Sequence, residues 1–168
     1  ALYRRAMIER IGGFDERFFY LYEDVDLAWR ARLAGWRCRY CPEARVYHVH
    51  AGAGTEGTPL KRYLLARNRV LTLIKNYPRP QWLAYAPLIL LYELLAVGYA
   101  LIARRDIHAL RGRLAGYLAL PRLQRERAQV QALRTASWGE LARWMQPVES
   151  PLRVLRRYAH LSRQPIRL

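Results

Sequence analysis

Gly12–Arg32, GGFDERFFYLYEDVDLAWRAR, is the stretch on which the reading of this chain turns. Gly12-Gly13 ends the helical spacing of Leu2–Ile11, since two glycines in a row stop a helix. Phe14-Asp15-Glu16 turns the chain into FFYLY, which reads as a buried segment or strand. Glu23, Asp24 and Asp26 then stand at the mouth of a helix running through DVDLAWRARLAG. Acidic groups suit the positive end of its dipole. Leu27, Ala31 and Ala34 share one face, Arg30 and Arg32 lie off it, and Gly35 closes it. Carboxylates set beside this many aromatics are costly to desolvate, so each needs a partner or a task.

Working outward, Trp36–Cys41 and Arg45–His50 read as two short strands around a Pro42-Glu43-Ala44 turn. In the second strand His48 and His50 share one face. Cys38 and Cys41 form a C-x-x-C, but a zinc site needs four ligands and there is no second pair. They read as two small apolar residues. Ala51–Pro59 is a glycine-rich connector without the strand–helix setting of a dinucleotide site. Leu60–Asn76 is an amphipathic helix, and Asn68 beside Arg67 in its middle is a mediocre helix former that invites a side-chain role.

Pro78 and Pro80 mark a boundary, giving an expected first domain of 1–77 and a basic helical tail of 78–168. Trp82–Ala103 is nearly all apolar, with Glu93 its only charge. Basic residues flank both ends and Glu93 opposes insertion, so a helix lying on an anionic membrane surface is expected rather than a crossing. The later segments 107–120, 122–134 and 141–168 continue the basic, amphipathic style. The net charge of +16 admits nucleic acid, an anionic membrane or a diphosphate substrate as partner. Arginines and lysines are spread without a basic cluster interleaved with stacking aromatics, so nucleic acid is not expected.

The Gly-Gly-Phe-Asp turn, the Glu-Asp-x-Asp-Leu after it and the histidine strand beyond resemble family 2 glycosyltransferases of the GT-A fold. The likeness is to the bacterial rhamnosyltransferase-like branch and extends through LKRYLLARNRVLTLIKNYP. It implies an α/β fold: the C-terminal, acceptor-side half of a GT-A domain followed by an α-helical membrane-associated tail. It implies inverting transfer of a sugar from a nucleotide-diphosphate donor to a hydroxyl of a glycan or lipid-linked acceptor. Asp24 would be the general base, and Glu23, Asp15 and Phe14 would hold the acceptor. His48 would bind a divalent metal, Mn2+ better than Mg2+, and Arg67 and His50 would contact the diphosphate. The expected location is the cytoplasmic face of the bacterial inner membrane.

The family's donor-binding half, with its Asp-x-Asp metal motif, has no counterpart in these residues. Asp24-Val25-Asp26 has that spacing but stands on the acceptor side. The chain is therefore expected to need an upstream portion for turnover. The alternative is a non-catalytic membrane-binding or scaffold protein derived from such an enzyme.

Overall fold

The computed structural model describes residues 1–47, 57–146, 149–150 and 153. The chain divides into two compact units, 1–137 and 138–168. The first unit therefore runs across position 77.

Among the described residues every regular element is helical. The short α1 (Arg5–Ile11) ends at Gly12, whose φ of +79° is the left-handed turn that glycine adopts freely. A single 3₁₀ turn, Glu16–Phe18, leads to α2 (Glu23–Leu33), and Gly35 (φ +82°) follows its end. The long α3 (Pro59–Asn76) starts as its sequence dictates: Thr58 accepts a hydrogen bond from the Lys61 amide, and Pro59 occupies the first turn. Beyond it lie α4 (Arg79–Ile102), α5 (Ile107–Leu118) and α6 (Leu120–Ala132).

α3 is the hub, packing most extensively on α5 and next on α6. Gly112 and Gly116 explain the closeness of α5: a Cβ at Gly112 would sit 2.2 Å from the Tyr63 carbonyl oxygen, and one at Gly116 2.8 Å from Val70 Cβ. Phe18, Val70, Leu71, Ile74 and Leu123 form one apolar core. Met7, Ile11, Leu27 and Ala34 form a second, against which Trp36 and Leu133 pack. In the second unit, the described residues include the helix α7 (Trp138–Ala142), in which Leu141 is buried.

The expected strands are corrected here. FFYLY is not extended: Phe19, Leu21 and Tyr22 all take positive φ, a tight irregular loop. Residues 36–47 are also irregular, with Cys38 and Cys41 exposed rather than packed. A lone extended segment has no ladder to complete, and the described residues supply no second strand. The described part of the chain is thus α-helical rather than α/β; 48–50 lie outside it.

α4 is the one helix among the described residues long and apolar enough to cross a membrane. Its leucines 83, 90, 91, 94 and 95 are exposed, whereas Glu93 is buried and pairs with Arg113 (2.7 Å) and Arg69 (3.2 Å). The acid thus faces protein, and the penalty expected for it in hydrocarbon does not bear on the apolar face.

Candidate active site

The carboxylates of the opening stretch fall into three different environments. Asp26 is fully buried and accepts from three donors: Arg30 Nε at 2.8 Å, Lys75 Nζ at 3.0 Å and Asn76 Nδ2 at 2.8 Å. Arg30, expected off the packed face, is instead buried; its guanidinium also donates to the carbonyls of Ile11 (2.6 Å), Gly12 (3.2 Å) and Gly13 (2.7 Å). Those carbonyls lie at and just beyond the C-terminal end of α1, where a cation is favoured.

Asp15 caps the 3₁₀ turn and pairs with Arg17 and, at 2.6 Å, with Lys75. Burial raises its carboxyl, but the hydrogen bonds from Arg17 and Lys75 and the Lys75 charge outweigh it and hold the group well below the usual carboxylate range. Arg17 is paired in turn with Glu126 of α6. Asp15 therefore braces the turn. Lys75, which bridges Asp15 and Asp26, had no signal in the helical pattern: it reads as a solvated lysine in the last turn of α3.

Asp24 differs from both. It is exposed in the first turn of α2, and it accepts a hydrogen bond from the adjacent Val25 amide at 2.8 Å. Glu23 is half-buried beside it, with one carboxylate oxygen, Oε2, buried and unpartnered among the described residues. Phe14 is half exposed, edge-on to Tyr3 at 6.1 Å.

The loop delivering Asp24 is clamped from α3. Asn68, fully buried, points its amide nitrogen at the carbonyls of Phe18 (2.9 Å), Tyr20 (2.9 Å) and Leu21 (2.7 Å). Arg67 donates to Asn68 Oδ1 (2.9 Å) and to the carbonyls of Arg17 (2.6 Å) and Phe18 (3.3 Å). The left-handed residues Phe19, Leu21 and Tyr22 are costly conformers. They persist because a side chain 47 to 50 residues away holds the carbonyls of Phe18, Tyr20 and Leu21 in the same loop. The Arg67-Asn68 pair thus has the side-chain role its sequence invites, and that role is to position the loop. Arg67, expected at a diphosphate, is directed at backbone instead.

His48 and His50 lie outside the described residues. Among those described, no group of three His, Cys, Asp or Glu side chains is placed to hold an ion. The divalent-metal site expected at His48 thus lies outside the described residues.

Residues 1–69 match the family described as "Glycosyltransferase like family 2". A 50-residue segment, 30% of this chain, is 51% identical to an N-acetylglucosaminyl-diphospho-decaprenol L-rhamnosyltransferase of Mycobacterium tuberculosis (strain ATCC 25618 / H37Rv), covering 16% of that protein. An O-antigen chain rhamnosyltransferase of Salmonella anatum is 46% identical over 50 residues, again 30% of this chain and 16% of the relative. A pre-mycofactocin glycosyltransferase of M. tuberculosis is 51% identical over 47 residues, 28% of this chain and 10% of that one. No solved structure matches the chain. The first 69 residues thus form a family 2 glycosyltransferase region of the rhamnosyltransferase-like kind. The match spans about one-sixth of the length of the rhamnosyltransferases it resembles.

Proposed function

We propose that this chain supplies the acceptor side of an inverting family 2 glycosyltransferase, in which Asp24 takes the proton from the acceptor hydroxyl. One observation carries the reading: of the three aspartates in the site, only Asp24 is both exposed and without a cationic partner among the described residues. A general base must be ionised, reachable and not already committed as an acceptor to buried donors. Asp26 and Asp15 fail the last two requirements, and unequal surroundings are what assign unequal roles to neighbouring carboxylates.

The geometry supports a division of labour. The Asn68 and Arg67 clamp fixes the loop, the Asp26–Arg30–Lys75 network fixes α2 beneath it, and Asp24 projects from that rigid base. Glu23 and the exposed Phe14 ring border the place where an acceptor sugar would lie. In transfer, the hydroxyl proton passes to Asp24 as the oxygen attacks the anomeric carbon. The bond from that carbon to the donor diphosphate breaks, and configuration inverts. The donor is a nucleotide-diphosphate sugar held by a portion outside this chain, and the acceptor a glycan or lipid-linked glycan. The unpartnered leucine face of α4 supports a seat against the membrane, on the cytoplasmic face of a bacterial inner membrane, where such an acceptor is presented.

The test is sugar incorporation by the longest natural protein containing these residues, supplied with labelled nucleotide sugars and a bacterial lipid extract. Incorporation that depends on Asp24 supports the reading. Incorporation that persists at the native rate in Asp24→Asn overturns it.

A further inference from the structure

A groove of about 350 Å³ lies between the Pro78–Pro80 turn and the face of α6 that carries Gln124, Arg127, Gln131 and the following Arg134. That volume falls at the small end of ligand pockets. Three arginines line it, Arg79, Arg127 and Arg134, and no acidic residue does. Several other arginines of the same unit are matched to acids. Arg17 pairs with Asp15 and Glu126, Arg30 with Asp26, Arg62 with Asp106, and Arg69 and Arg113 with Glu93. Among the described residues, the arginines of the groove have no such partner.

Arg127 is partly buried, and it is held in the groove by its own bond to the Ile74 carbonyl at 2.5 Å. Burial and the neighbouring Arg79 charge both push its guanidinium below its ordinary value. Like charges gathered without an acid favour an anion that would neutralise them. The first turn of the 24-residue α4 opens at the same place, with Pro78 at its cap, adding the positive end of a helix dipole. Gln131, anchored to the Asn76 carbonyl at 2.9 Å, adds a neutral wall.

We propose that this groove is a binding site for a phosphate or diphosphate group, held by the Arg79, Arg127 and Arg134 guanidinium forks. Planar guanidinium groups match phosphate oxygens in pairs, which makes arginine rather than lysine the fitting residue. The group could belong to a lipid headgroup, since the apolar face of α4 begins at the groove, or to a soluble phosphate. None of these three residues is assigned a role in the transfer reaction.

Isothermal titration of the full chain with inorganic pyrophosphate tests the site. Arg79→Gln with Arg134→Gln should weaken binding roughly tenfold or more, as loss of charge-assisted forks requires. Arg122→Gln with Arg125→Gln removes the same charge from exposed positions of α6 outside the groove, and should leave binding within about twofold if the site is local. Equal loss in both pairs, or no pyrophosphate binding by the native chain, overturns the proposal. Co-flotation with phosphatidylcholine vesicles containing phosphatidic acid separates the sources. Release by pyrophosphate, and loss in the groove pair alone, assigns the site to a lipid phosphate. Native flotation of the groove pair together with its lost pyrophosphate binding assigns it to a soluble phosphate.

Discussion

Replacing Asn68 by Asp preserves the shape of the side chain and deletes the donor that holds the loop ahead of Asp24. The native amide nitrogen faces three carbonyl oxygens within 2.9 Å. Two N–H hydrogen bonds at about 1 kcal/mol each, plus carbonyls left unsatisfied at about 1–3 kcal/mol, put the loss at roughly 3–5 kcal/mol. For a chain of this size that lowers Tm by roughly 10 °C, given about 2–4 °C per kcal/mol. Burial and three facing carbonyl oxygens push the pKa of the new carboxyl up, against the opposing pull of Arg67 at its other oxygen. The deficit should therefore grow as pH rises through that pKa and shrink below it, where the protonated acid donates once more. Asn68→Ala should lose stability without this pH trend. Thermal unfolding followed by circular dichroism across pH 4 to 8 reads both, the range being set by ordinary carboxylate titration at about 3.9 and above. A Tm within about 2 °C of native for Asn68→Asp at neutral pH would refute the clamp, since that is under 1 kcal/mol.

Asp15 has its pKa depressed by Arg17 and Lys75, so its contribution to stability is present above the unfolded value of about 3.9 and is lost as pH falls below it. Asp15→Asn should flatten the acid limb of a stability–pH curve; an unchanged limb contradicts the pairing. Gly112→Ala raises helix propensity by about 1 kcal/mol. The Tyr63 carbonyl 2.2 Å from the new Cβ should still make the net effect destabilising, by about 1–3 kcal/mol in urea unfolding, as overpacking does. Leu90→Asp with Leu94→Asp should abolish co-flotation with anionic liposomes while leaving the fold intact, because both leucines are exposed on α4; undiminished flotation removes the membrane seat.

Much of the helical framework was legible because its signals are local. Thr58-Pro59 opens α3, Gly12 and Gly35 close α1 and α2, and the apolar spacing of 60–76 gives the buried face of α3. What could not be read is what depends on distant partners. FFYLY has the composition of a strand, and only Asn68, 47 to 50 residues on, makes it a left-handed loop. Lys75 and Asn76 look like the polar end of a surface helix until α2 sets Asp26 against them. Arg30 and Glu93 reverse the same way: charge suggests solvent, but a buried counter-charge turns each inward. The α/β expectation came from the family likeness and from alternation in 36–50, and alternation alone cannot provide a neighbouring strand.

The decisive measurement is steady-state sugar transfer by Asp24→Asn in the longest natural protein, with kcat and donor KM determined separately. Removing one positioned base should lower kcat about 10²-fold or more with donor KM and Tm unchanged, because Asp24 is exposed and asparagine keeps the oxygen that accepts from the Val25 amide. A kcat near the native value would contradict the account.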